Sequence, residues 1–229
     1  MKNYRTEVIS RAIHQAGFYP LDVLLVGATG VGKSSTLNAL FGEEVAKQGD
    51  GVEPETMLVN HYRLNDVLRF WDSPGLGDGL EADEKHSRKL IKTLNKTYTH
   101  KDGTWGFIDL VMVILDASSR DLGTTYQLLE RVIIKNIQPE RIMVCINQAD
   151  MGMKGRYWDN QLNSPKIELV QFLDEKAASV QRRLRESTGL IIKMPVFYSA
   201  AKQYNLDVLM NLLIEHLPNE KRSRFLCKY

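Results

Sequence analysis

Gly27-Ala28-Thr29-Gly30-Val31-Gly32-Lys33-Ser34 is the stretch on which the reading of this chain turns. It spells G-x-x-x-x-G-K-[ST], and its flanks supply the context that gives the pattern meaning. Before it stands LDVLLV (21–26), an apolar run too short for a helix and stopped by Gly27, which predicts a buried strand. After it, residues 33–41 read as a helix. Glycines let the backbone wrap closely around a polyphosphate, so that successive N–H groups point inward as an anion nest. The helix opening near Lys33 adds the positive end of its dipole. Lys33 can reach the outer phosphates, and the Ser34 hydroxyl, with Ser35 beside it, suits a Mg²⁺ ion. The predicted phosphate-binding set is therefore Gly27, Ala28, Thr29, Gly30, Val31, Gly32, Lys33, Ser34 and Ser35.

Outward from this loop the chain is ordinary in bulk. Its 229 residues are 43% hydrophobic and 25% charged, which excludes disordered and low-complexity classes. The net charge of +2 hides an asymmetry. Residues 218–229 carry four basic side chains (Lys221, Arg222, Arg224, Lys228) against Glu220, a net of +3 that leaves −1 for the rest. The body is thus not a basic nucleic-acid binder by composition. No stretch approaches the ~18–20 apolar residues of a membrane span. MKNYRTEVIS lacks the apolar core of a signal peptide, and Lys2 replaces the glycine that myristoylation requires. Cys145 sits in an apolar run and Cys227 near the end, so a structural disulfide is not expected; all of this points to the reducing cytoplasm.

Apolar runs and helical patterns alternate along the chain. Strands are predicted at 57–64, 67–71, 109–115, 141–146 and 194–198, and helices at 3–16, 82–98, 124–136, 165–187 and 205–217. Ser164 is the expected cap of the fourth of these helices. The first groups Tyr4, Val8, Ile9, Ala12, Ile13 and Ala16 on one face. This alternation argues for an α/β fold with a mostly parallel sheet between helical layers. The organisation read from it is a leading helix (1–20), one nucleotide-sized domain (21–217) and a basic tail (218–229).

Three further segments narrow the chemistry. Asp72-Ser73-Pro74-Gly75 follows a strand; an acid there can hold a metal-bound water, and the Gly75 N–H can meet a γ-phosphate. Asn147-Gln148-Ala149-Asp150 follows another strand. A carboxylate at Asp150 can accept from both N1–H and N2–H₂ of guanine, whereas adenine offers neither donor. Ser199-Ala200-Ala201 follows the last strand, and its backbone N–H groups could meet guanine O6.

In this order, the motifs resemble those of small GTPases of the translation-factor-related class, and most closely the bacterial Era-like branch with its 50S ribosome-binding-type GTPase domains. The GKSSTLNALFG run is also similar to that of immunity-associated GTPases. The resemblance covers about residues 21–217. It implies a three-layer P-loop G domain, with a six-stranded, mostly parallel sheet and one antiparallel edge strand, the hairpin formed by the 57–64 and 67–71 runs. It implies GTP/GDP and Mg²⁺ as ligands, and a magnesium threonine in the first switch. Between Leu37 and Trp71 the only threonine is Thr56, so the implied metal set is Ser34, Thr56 and Asp72. Lys33, Thr56 and Gly75 would act on the transferred phosphoryl group.

The sequence departs from that pattern in places. Gln148 stands where family members carry a lysine packed across the base, so affinity should be weaker or release faster. Leu76 follows Gly75, where some GTPases place a water-orienting glutamine. Gly30 stands where a potassium-dependent enzyme would carry asparagine, and no arginine finger is evident in the switches. Slow intrinsic hydrolysis is therefore expected, awaiting a protein partner or self-association. The acidic run of Asp78, Glu81, Asp83 and Glu84 reads as a solvated loop, or else as a source of a water-positioning carboxylate. The stretch after Asp150, with Lys154, Arg156, Tyr157 and Trp158, either packs onto its own domain or offers a surface to RNA or protein. Two rivals stay open: a guanine-nucleotide scaffold that scarcely hydrolyses, and a ribosome- or RNA-associated factor. The extra RNA-binding domain that several Era-like proteins carry is not visible in this sequence.

Overall fold

The computed structural model describes residues 6–18, 20–41, 60–65, 67–75, 77, 79–101, 103–119 and 123–223. The strands of the central sheet are β1 (Leu21–Val26), β2 (Asn60–Asn65), β3 (Leu68–Asp72), β6 (Leu110–Asp116), β7 (Ile142–Asn147) and β10 (Val196–Phe197), laid side by side in the order β10-β7-β6-β1-β3-β2. Every neighbouring pair is parallel except β2 with β3, which closes one edge as an antiparallel hairpin. The helices are α1 (Thr6–Gln15), α2 (Lys33–Phe41), α3 (Leu80–Asn95), α4 (Gly123–Leu128), α5 (Ile167–Thr188) and α6 (Leu206–Glu215).

The inner strands β1, β6 and β7 read as largely apolar runs because they are covered on both faces. Along β1, Leu24 and Val26 point into one core, whereas Leu21, Val23 and Leu25 point into the other. On β6 the same period of two sends Val111, Val113 and Leu115 one way and Leu110, Met112 and Ile114 the other. The first core is roofed by Leu90 and Leu94 of α3, Leu128 of α4, and Leu169, Leu173, Ala177, Val180 and Leu184 of α5. The second is roofed by α1, α2 and α6, through Ile9, Ile13, Leu37, Phe41, Leu209 and Leu213. The result is the expected three-layer α/β/α domain. Among the described residues no helix is long and apolar enough to cross a membrane. Cys145 is free and wholly buried, and burial pushes its thiol up to about 12.

Several boundaries differ from the sequence pattern, each for a local reason. The 82–98 helix stops at Asn95, because Thr97, Tyr98 and Thr99 favour extended backbone. They form β4 (Thr97–His100), paired with β5 (Gly103–Gly106). Ser164 does not cap α5. Together with Pro165 it forms β9 (Ser164–Pro165), which pairs with β8 (Trp158–Asp159), and the helix begins two residues later without a side-chain cap. The 124–136 helix is α-helical only to Leu128 and then widens into a π-turn over Leu129–Ile133. The predicted 194–198 strand shrinks to two residues, since Met194 is exposed and Pro195 has no N–H for a ladder. In α1 the buried residues are Ile9 and Ile13, while Val8 faces solvent.

The described part of the basic tail is held against the domain. Arg222 is only 1% exposed, and it donates to the carbonyls of Asn136 (3.1 Å) and Leu94. Its own carbonyl accepts from the Gly106 N–H at 2.6 Å, and Ser223 bridges to Trp105. The Arg141 guanidinium holds the Glu220 carbonyl at 2.7 Å. Residues 218–223 therefore pack against the domain, and one of the four tail cations is spent inside it. Arg224 and Lys228 lie outside the described residues, as does Cys227.

Candidate functional site

Parallel register brings the ends of several strands to one edge of the sheet. Leu25 pairs with Asp72, Val26 with Val113, and Asp116 with Asn147. The loops that follow β1, β3 and β7 consequently emerge side by side, at the edge where open parallel sheets carry their ligands.

The phosphate loop leaves β1 at Gly27 and enters α2 at Lys33, whose first helical turn is closed by the Thr36 N–H on the Gly32 carbonyl (2.9 Å). Gly32 has a φ of +88°, and a Cβ there would collide with the Asn147 amide, so no other residue fits. Lys33 is folded over the loop, with Nζ 3.2 Å from the Gly27 carbonyl and 3.1 Å from that of Ala28. Its ammonium thus lies where an inbound phosphate would meet it.

Ser34 and Asp72, placed together by sequence reasoning as metal residues, are joined directly: Ser34 Oγ donates to Asp72 Oδ2 at 2.6 Å. The other oxygen, Asp72 Oδ1, is buried and has no hydrogen-bond partner. Burial raises the Asp72 carboxyl above its ordinary range, and the Ser34 hydroxyl and Lys33 charge offset this only in part. A buried carboxylate oxygen without a donor, beside a serine hydroxyl, fits a hard divalent cation. Among the described residues no group of three or more His, Cys, Asp or Glu side chains is arranged to cage a metal. Thr56, the third expected ligand, lies outside the described residues, as do Leu76, Asp78, Arg120 and Asp121. Gly75 lies against the phosphate loop; a Cβ on it would sit 2.8 Å from the Thr29 nitrogen.

The base side is assembled from β7 and β10. The Asn147 side chain is 1% exposed and bridges two loops, donating to the Val31 carbonyl (2.9 Å) and accepting from the Ala200 N–H (3.0 Å). Gln148 adopts a left-handed φ of +60° and extends to the Gly30 carbonyl at 2.8 Å. Asp150 accepts from Ser199 Oγ at 2.6 Å, which fixes its carboxylate, and Ser199 Oγ in turn accepts from the Lys202 N–H. Of the three N–H groups expected to face the base, that of Ser199 donates to the Tyr204 carbonyl and that of Ala200 to Asn147. This leaves the N–H of exposed Ala201 for a ligand.

Some supporting residues carried no signal in the sequence. The Tyr198 hydroxyl, wholly buried, meets Thr36 Oγ1 at 2.8 Å and braces the start of α2 across 162 residues of chain. Lys176 of α5 donates to the carbonyls of Ala117 (2.8 Å) and Ser119 (2.5 Å), stapling the loop after β6. Asp116 closes the same loop on itself through Ser118. Trp158 is buried and packs edge-on against Tyr204, so this aromatic serves its own domain; Tyr157 stays exposed.

Comparison with known proteins agrees with this geometry. Residues 22–148, more than half of the chain, match the family described as 50S ribosome-binding GTPase. A probable GTP-binding protein EngB of Streptococcus mutans is 26% identical over 173 residues, spanning 74% of this chain and 83% of its own length. A probable GTP-binding protein EngB of Pediococcus pentosaceus is 30% identical over 139 residues, covering 61% and 67%. Among solved structures, Toc33 from Arabidopsis thaliana in complex with GDP and Mg²⁺ shares the fold at a TM-score of 0.62 and 16% identity, over 94% of this chain and 91% of that one. A second structure, described by the statement that dimerization is important for the GTPase activity of the chloroplast translocon components atToc33 and psToc159, superposes at 0.63 with 16% identity, over 96% and 91%. The resemblance thus holds at the level of the GTPase class, while its assignment to the Era-like branch is replaced by similarity to EngB. The chain belongs to the 50S ribosome-binding GTPase family.

Proposed function

We propose that this GTPase works as a slow switch, binding GTP with Mg²⁺, hydrolysing it to GDP and releasing its switch segments when the γ-phosphate is lost. The observation that carries the reading is the Ser34–Asp72 pair beside Lys33, with Asp72 Oδ1 buried and unpartnered. Ser34 and Thr56 would hold the metal and Asp72 would order its water; bound there, Mg²⁺ supplies charge neutralisation between the outer phosphates. Lys33 and the backbone of Gly27–Ser35 bind and orient the phosphates. Gly75 presents its N–H to the third one. Asp150, held by Ser199, accepts from the guanine edge, with Asn147 and Gln148 bracing the loop below and Ala201 donating to O6.

Slowness follows from the residues that follow Gly75. Leu76 cannot hydrogen-bond a water, so a protein partner or a second copy of the chain is the proposed source of the missing group. Residues 21–217 form the nucleotide-binding unit in this reading. The 1–20 and 218–229 segments are appended to it, and the setting is the reducing cytoplasm. The family's description makes the large ribosomal subunit the first partner to test.

The test is a competition of GTP, GDP and ATP for the purified protein with Mg²⁺ present, followed by turnover on the same sample. Guanine nucleotides should win by on the order of 100-fold, since Asp150 meets two donors that adenine lacks. Turnover should stay well below ~1 per second for protein alone. ATP binding on a par with GTP would overturn the reading.

A further inference from the structure

The loop that carries Gly75 is held by two side chains of α3 that the reaction as described does not use. Asp83 and His86 are three positions apart, hence on one face of the helix, and both are half-buried. Asp83 Oδ1 accepts from the Gly77 N–H at 2.8 Å. His86 Nδ1 lies 2.8 Å from the Gly75 carbonyl. A carbonyl oxygen can only accept, so Nδ1 is the donor and the ring's tautomer is fixed by this contact. One side chain thus holds an acceptor and the other a donor of the same turn, two residues apart. The turn is at the same time pressed onto the phosphate loop, where a Cβ on Gly75 would stand 2.7 Å from Thr29 Cα. Gly77 has a φ of +108° and Gly79 one of +119°, conformations open to glycine at little cost.

We propose that His86 and Asp83 are positioning residues for the γ-phosphate sensor, a two-point tether on Gly75 and Gly77 that holds Gly75 against Thr29 so that its N–H is set for a third phosphate. The proposal rests on the guanine-nucleotide reading above and deepens it. The tether acts through Gly75, which only a triphosphate engages, so its contribution belongs to GTP and not to GDP. It also joins the sensor to α3, whose outward face carries Glu81, Glu84, Lys85, Arg88, Lys89 and Lys92 around a shallow depression. A shift of Gly75 on loss of the γ-phosphate is therefore passed to a charged, solvent-facing helix. Glu81, Asp83 and Glu84, expected in a solvated loop, lie instead on α3, and Asp83 is committed to Gly77.

The experiment measures GDP and a slowly hydrolysed GTP analogue side by side, on wild type, His86→Ala, His86→Asn and Asp83→Ala. His86→Ala should weaken the GTP analogue about fivefold, the worth of one hydrogen bond, and leave GDP within about twofold. His86→Asn keeps a donor at the same reach and should restore the analogue to near the wild-type value. Asp83→Ala should lower the ratio of analogue to GDP affinity in the same direction. An equal loss of both nucleotides in His86→Ala, an unchanged ratio, or failure of the asparagine to restore it would overturn the tether. A wild-type protein that binds neither guanine nucleotide would overturn the underlying reading, and the tether with it.

Discussion

The two ends of the central sheet both gather charged side chains, and they use them in opposite ways. At the end where β1, β3 and β7 finish, Lys33, Asp72 and Asp150 are held from separate loops, by the Gly27 carbonyl, Ser34 and Ser199 respectively. At the other end Asp22, Arg69, Asp109, Arg141 and Arg222 lie together inside the protein, with Asp22 and Arg69 as an ion pair. Asp22 accepts from Arg69 through both oxygens (2.8 and 2.7 Å) and from Trp71 Nε1 (2.7 Å), while its own N–H donates to Asp109 Oδ2 at 2.9 Å. Arg69 also lies over the Trp71 and Phe107 rings, and Lys96 over Phe107. At one end the charged groups are held singly, whereas at the other Asp22 is paired with Arg69 and Trp71 through its own carboxylate. The difference between binding and bracing is one of pairing, not of charge content.

The sharpest break between the two ends comes from Asp22→Ala. It leaves Arg69 and Trp71 without their acceptor and should cost about 3 kcal/mol of stability, read by urea unfolding. Nucleotide affinity should not change; a parallel loss of both would erase the division. Next is Asp109, whose neighbours are Asp22, Arg141, Arg222 and Tyr98. Burial pushes this carboxyl up to about 7, so between about 4 and 7 the folded chain keeps a proton that the unfolded chain has lost. Its contribution is fully present below about 4 and disappears as pH rises through 7, at a slope on the order of 1 kcal/mol per pH unit. Thermal unfolding of Asp109→Asn should lack that slope, and a slope equal to wild type would place the titration elsewhere.

At the nucleotide end the order of effects continues downward. Lys33→Ala should weaken GDP binding on the order of 100-fold through the lost charged contact, and leave the melting temperature of the nucleotide-free protein unchanged. Asp150→Asn replaces a double acceptor and should cost about 10-fold or more in guanine affinity, visible as a narrowed preference for GDP over ADP. The smallest change is a gain. Gln148→Lys adds a cation where the glutamine stem crosses the loop and should tighten GDP about two- to fivefold by titration. No gain would mean that the glutamine already supplies all that this position can.

How much of this was legible in the sequence follows the same division. The phosphate loop, Asp72–Gly75, Asn147–Asp150 and Ser199–Ala201 are contiguous words, because loops at strand ends deliver their chemistry from neighbouring residues. The opposite end is written across the chain. Asp22 and Asp109 are 87 residues apart, Asp22 and Arg69 47, and Arg141 and Glu220 79, so no window contains the network. For the same reason Arg222 reads as one cation of a basic tail until the fold buries it. Helices and strands were legible where periodicity was long, as in α5. They differ from the sequence pattern where a short β-branched run ends a helix early, at Thr97, and where a two-residue ladder delays the start of one, at Ser164.

Asn147 carries a kinetic consequence. Because its amide holds the Val31 carbonyl with one end and the Ala200 N–H with the other, it ties the phosphate loop to the loop after β10. Gln148 adds a second link to Gly30. A nucleotide cannot surrender its sugar-and-base half while the polyphosphate stays fully gripped without disturbing the same amide. In the proposed binding mode departure would be a concerted unlatching, and a hand placed on the Ser199–Tyr204 turn, away from the phosphates, would already be on the lock.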